Sequence, residues 1–200
     1  MKLYILNETF ELGNTEESIE QVFEYIRQAI EETEYNFSYM IVDGEEIYDE
    51  FEIYLEDNLK SIKEVKVAML TNKEIVTDNL YNINNYLKSA IPIMNDLSNN
   101  FYKEPSAENW KQASNLMEEI SYIIYIRESI DDMGGLSELV SNYYAWNDYT
   151  IQVGKLNCVP EEFRLALENV DTDKIGDMIS SKVVTAFEKM HTKLEALLAE

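Results

Sequence analysis

Up to Asn72 the apolar positions come in short alternating runs; from Lys73 onward they recur every three or four residues. Leu3 to Leu6 and Thr9 to Leu12 are strand-like runs joined at Asn7-Glu8, which predicts a hairpin with a two-residue loop. Asn14 and Glu17 have the spacing of a capping box. They precede Ile19, Val22, Phe23, Ile26 and Ile30, which fall on one helical face. Tyr39-Met40-Ile41-Val42 then runs into Asp43-Gly44, where glycine accepts the positive φ that a type I′ turn demands, and the chain returns through Glu45-Glu46-Ile47-Tyr48. Phe51, Tyr54, Leu55, Leu59 and Ile62 suit a short helix, and residues 65–70 read as a strand buried on at least one face.

The second pattern is helical throughout. Val76, Leu80, Ile83, Leu87, Ala90, Met94, Leu97 and Phe101 form a heptad seam, interrupted by Pro92, which is expected to kink the helix by removing its bond to Lys88. After Glu104-Pro105, Ser106 is placed to cap a helix with Trp110, Ala113, Met117, Ile120 and Ile124 on one face. Leu116, Ile123, Ile126 and Ile130 lie beside that face, a width that predicts packing on two sides. Gly134-Gly135 closes this helix. A shorter helix through Leu136, Leu139, Val140, Tyr143 and Tyr144 is expected to end near Trp146, with residues 151–158 irregular. Val159-Pro160-Glu161-Glu162 starts the next helix, and Asp171 opens the last, with Ile175, Ile179, Val183, Ala186, Met190 and Leu197 along its face.

The first half therefore reads as hairpin, helix, strand, turn, short strand, short helix, strand. Carried by residues 1–6, the helix over 16–29, Met40-Ile41-Val42-Asp43-Gly44-Glu45-Glu46-Ile47 and residues 65–70, that order resembles the β-grasp fold of ubiquitin-like domains. The resemblance implies a docking module. Ubiquitin-type modifiers end in Gly-Gly directly after the last strand, whereas here Thr71-Asn72 passes into more helix, which speaks against a conjugated modifier. The expected fold class is α+β: a small β-grasp-like domain over residues 1–72, followed by an all-α helical-bundle domain over 73–200.

Charge changes the picture of partners more than the picture of fold. The formal net charge is -23, with a single histidine and a single cysteine. Residues 1–72 hold 18 acids against 5 bases, and the longer remainder 21 against 11, so the first part is the denser acidic surface. Such a surface repels nucleic acid phosphates and anionic membranes and favours basic protein partners. One cysteine builds no internal disulfide and fits a reducing compartment. The start at Met1-Lys2-Leu3 does not read as a signal peptide, and the longest apolar run, Ile123-Ile124-Tyr125-Ile126, is far short of a membrane span. A cytoplasmic protein is expected.

Candidate chemistry is thin. Asp171, Asp173 and Gly176 fit three positions of a calcium loop, but Ile175 stands at the fifth and Lys182 at the twelfth, where a bidentate Glu is needed. Acids at a helix start explain the same residues. Glu188 and His191 have the spacing of a di-iron ligand pair, yet the motif is required twice and there is one histidine. Cys158 is expected to be a buried structural thiol, far in sequence from that histidine, which is itself expected to face solvent. No dinucleotide fingerprint, phosphate loop or nucleophile elbow is present, so no catalytic residue, metal or cofactor is assigned.

The positive lead is aromatic. Among fourteen tyrosines, Tyr143, Tyr144 and Tyr149 cluster with Trp146 and Asp148, and such rings bury large area while keeping a polar handle. These five residues are the candidate partner-binding site of a non-enzymatic interaction or adaptor module. Its partner would offer a basic or amphipathic segment, taken in chaperone-like fashion by a groove in the helical half. A carboxylate- or divalent-metal-dependent enzyme is the alternative reading, and an acidic nucleic-acid mimic the third.

Overall fold

The computed structural model describes residues 1–199. The fold is α+β, with a five-stranded sheet first and helices alone after it among the described residues. Contacts divide the chain into one unit from Met1 to Ile75 and another from Val76 onward.

In the first unit, β1 (Lys2–Ile5) and β2 (Glu8–Glu11) form a hairpin. Its loop is Leu6-Asn7, one residue earlier than the sequence pattern placed it, because Ile5 pairs with Glu8. Helix α1 (Glu16–Glu32), β3 (Tyr35–Val42), β4 (Glu45–Ile47), α2 (Phe51–Asn58) and β5 (Glu64–Thr71) follow. The sheet order is β2-β1-β5-β3-β4, with β1 and β5 parallel and every other pair antiparallel. The β3–β4 turn has Asp43 at φ 50° and Gly44 at φ 94°, both in the left-handed region of a type I′ turn. The Asp43 carboxylate also accepts from the Lys63 and Glu64 N–H groups, at 3.0 and 2.8 Å, and so ties the turn to the start of β5. A register shift in β3 at Ser38 lets Phe37 and Met40 share the core side, where Phe37 meets Phe51 edge-on at 4.8 Å. Ile19, Val22 and Ile26 of α1 bury against Leu3, Ile5, Val42, Val65 and Val67.

Asn14 does not cap α1. The N-cap is Thr15, and the Asn14 amide instead donates to the carbonyls of Leu59 and Ile62 at 2.6 and 2.8 Å. Leu59 is the C-cap of α2, whose last carbonyls have no partner within the helix, so the side chain answers a long-range need rather than a local one.

Helix α3 (Asn72–Phe101), which belongs to the second unit from Val76 onward, buries every residue of the heptad seam. Pro92 does not end this helix: Pro92 and Lys88 both lie on its exposed side, where losing one backbone bond costs less than it would in the core. Helix α4 (Ala107–Asp132) starts at a capping box formed by Ser106 and Asn109. After α5 (Leu136–Leu139) come α6 (Tyr143–Gly154), α7 (Val159–Glu168), α8 (Thr172–Met178), a π-helical turn (Ile179–Val184) and α9 (Thr185–Leu198). Gly176 of α8 allows a close approach to α3: a Cβ there would stand 3.0 Å from the Tyr102 ring, and its carbonyl accepts from buried Ser98 at 3.0 Å.

Candidate functional site

The predicted aromatic cluster is helical, not a helix end followed by irregular chain. Val140 is extended, and the Asn142 side chain then accepts from the Ala145 N–H at 3.0 Å, starting α6 one residue later. This cap explains why the pattern of apolar residues misled: it continues across a break that a single asparagine makes. Along α6 successive residues turn by about 100°, so the four rings cannot share one side.

They do not. Tyr143 is 55% exposed and Tyr144 86%, whereas Trp146 is 2% and Tyr149 0% exposed. Trp146 and Tyr149 are therefore corrected from partner-binding surface to core. The side of α6 that carries them, Ala145 and Val153 packs along α9, and the two rings lie 5.5 Å apart. Burial pushes the Tyr149 phenol well above its ordinary range, with the Arg127 charge opposing, so the ring stays neutral. Its hydroxyl and Arg127 Nε are buried without hydrogen-bond partners. Asp148 is not a free acidic rim: its carboxylate accepts from Lys193 Nζ of α9 at 2.7 Å. What remains on the surface is an adjacent tyrosine pair on the first turn of a helix whose other side is fixed in the core.

Two further expectations are revised. Cys158 is an exposed free thiol at the N-cap of α7 rather than a buried one. It lines a cleft of about 290 Å³ with Lys155, Ser181, Lys182 and Thr185, bounded by the π-helical turn. Lys182 pairs with Glu162 at 2.6 Å, and that ammonium, then the Cys158 thiol, holds the Glu162 carboxyl below its ordinary value. His191 is half-buried rather than solvent-facing, with Nδ1 2.7 Å from Asn84 Oδ1. Asp171 acts as an N-cap, accepting from the Lys174 N–H at 3.1 Å. Among the described residues no group of three or more His, Cys, Asp and Glu side chains is arranged to hold a metal ion. No helix there is long and apolar enough to cross a membrane.

Sequence reasoning missed the π-helical turn, which shows only as the tight spacing Val183-Val184, Ala186-Phe187, all four buried. It also missed a cavity of about 270 Å³ between the β1–β2 hairpin and the end of α1.

Two domain families match the chain. Residues 78–193, more than half of it, match a domain of unknown function (DUF8042), and residues 1–71 match the TP0873 N-terminal domain. No curated protein and no solved structure matches.

Proposed function

Given a chain that belongs to the DUF8042 family, we propose that it is a non-enzymatic interaction or adaptor module acting on a protein partner with a basic or amphipathic segment. The observation that carries this reading is the pair Tyr143 and Tyr144, held outward by a helix whose inner rings are locked in the core. Rings on a rigid support lose little entropy when a partner covers them, and tyrosine is among the residues that dominate binding energies. The charge of -23 selects the kind of partner and speeds the encounter. The reading includes a cytoplasmic setting, consistent with the free Cys158 thiol, and no nucleic-acid or membrane partner. The sheet order, with β1 and β5 parallel at its centre, supports a β-grasp-like docking module over residues 1–72.

Affinity capture with the wild type and with Tyr143→Ala/Tyr144→Ala tests it. Partners retained at low salt should be lost by the variant, which should melt like the wild type; each ring is expected to contribute about 1 kcal/mol or more. Identical captured proteins would refute the assignment of this surface.

The enzyme alternative keeps one specific observation: the cleft lined by Cys158 and by Lys182, itself paired with Glu162, beside a π-helical turn, a distortion frequent at functional sites. Capture that survives Cys158→Ser shows that partner binding does not use the thiol in this cleft.

A further inference from the structure

The hairpin that begins the sheet leaves one edge of it open. The Leu12 N–H donates to the Met1 carbonyl at 2.9 Å, and the Met1 nitrogen donates to the Leu12 carbonyl at 2.7 Å. In an antiparallel ladder such hydrogen-bonded pairs recur at every second residue, so Leu3 with Phe10 and Ile5 with Glu8 are the next two. The backbone groups of Thr9 and Glu11 therefore point away from β1, and β2 is the outermost strand. No hydrogen bond among the described residues takes up those groups.

Beside this edge, on the side of the hairpin that faces α1, lies the cavity of about 270 Å³. Phe10 and Tyr25 form one wall, stacked at 3.9 Å, and Ala29 extends it. Glu8 from the hairpin and Glu32 from the end of α1 also line the cavity, and among the described residues neither makes an ion pair. The last turn of α1 carries no basic residue, so nothing offsets the negative end of its dipole. Arg27, the one cation on this helix, lies about 200° around the helix from both Tyr25 and Ala29 and so projects to the other side.

We propose that the edge and the cavity together bind an extended basic segment of a partner protein, which adds as a strand alongside β2 and places a Lys or Arg side chain in the cavity. The open backbone groups of Thr9 and Glu11 supply the ladder. The aromatic wall takes the aliphatic stem of the side chain, and the two carboxylates with the helix end take its charge. A second copy of this chain is the wrong occupant, because β2 carries Glu8 and Glu11 and no basic residue, so pairing β2 with β2 gathers four carboxylates with no opposite charge. Acids on an edge strand protect it from self-association, and here they leave a basic strand as the one that fits. The inference deepens the interaction reading by adding a site in the other unit, independent of the tyrosine pair.

The test titrates the full chain with a synthetic peptide in which Lys alternates with Val and Thr, followed by calorimetry and backbone-amide NMR. Binding should be salt-sensitive, with the shifted amides confined to β2 and the last turns of α1. Glu8→Gln/Glu32→Gln should weaken it about tenfold. Thr9→Pro removes an outward N–H while sparing the ladder to β1, and should weaken it as well. Tyr143→Ala/Tyr144→Ala should leave it unchanged, so failure here is distinct from failure of the tyrosine surface. Absence of salt-sensitive binding, shifts elsewhere, an unaffected charge variant, or free lysine amide binding as tightly as the peptide would each overturn the proposal.

Discussion

The two units solve the problem of an acidic surface over an apolar core in different ways. In the sheet unit a modest core lies under α1, and the structure is closed by polar clasps between distant segments: Asn14 to the carbonyls of Leu59 and Ile62, Asp43 to the amides of Lys63 and Glu64. In the helical unit a long core runs from Val76 to Leu197, and polar links between helices, such as Ser98 to the Gly176 carbonyl and Lys193 to Asp148, add to a seam that already spans the unit. Docking chemistry should differ in the same way. A sheet edge offers backbone groups and charge, whereas a helix face has no free backbone groups along it and can offer only side chains, here Tyr143 and Tyr144.

The largest expected effect tests whether the inner side of α6 is core. Trp146→Ala should destabilise the helical unit by about 3–5 kcal/mol, from lost transfer energy and the cavity left behind. Tyr144→Ala, two residues earlier, should stay within about 0.5 kcal/mol of the wild type. Chemical denaturation followed by helical circular dichroism reads both. Equal midpoints for the two variants would mean that the inner side of α6 is not core.

An intermediate effect sharpens the picture of the sheet unit as one held by clasps. Asn14→Ala removes the donor to the carbonyls of Leu59 and Ile62, which lie near the surface, at a cost of about 1 kcal/mol. Asn14→Asp should be no better, because a carboxylate cannot donate to a carbonyl. Hydrogen exchange on β1 and β5 amides is the readout. Protection unchanged in both variants would show that packing alone closes this unit.

The contrast also explains which parts of the fold were legible in the sequence. Periodicity is a local record of burial, so the heptad seam of α3 and the α1 stripe of Ile19, Val22 and Ile26 were readable residue by residue. The Asp43-Gly44 turn was readable because its backbone conformation restricts residue type. Asn14 was misassigned because its local spacing fits a capping box while its partners are more than forty residues away. Trp146 and Tyr149 were misassigned because residue type marks a ring as useful at an interface without saying which way a helix turns it. Glu8, Tyr25 and Glu32 line one cavity only through the hairpin and helix pairing, which no spacing in the chain records.

The smallest effect concerns proton linkage in the helical core, where burial shifts a phenol, whereas in the sheet unit the Tyr54 phenol is shifted first by its hydrogen bond to Glu45. Burial first, and the Glu119 charge second, push the Tyr86 phenol from 10.0 to about 12. Both penalise its anion in the folded state. Below pH 10 the phenol is neutral whether the chain is folded or not, so it adds no pH dependence there. As the pH rises from 10 to 12 the unfolded chain releases this proton first, and folding stability falls through that window. Tyr86→Phe removes the titrating group but keeps the ring that meets Phe187 edge-on at 6.1 Å. Its denaturation midpoint should therefore fall less steeply between pH 10 and 12 than that of the wild type, with little difference near neutrality. Parallel pH profiles would mean that the Tyr86 hydroxyl is solvated in the folded chain and that the α3–α4 seam is looser there than the rest of the helical core.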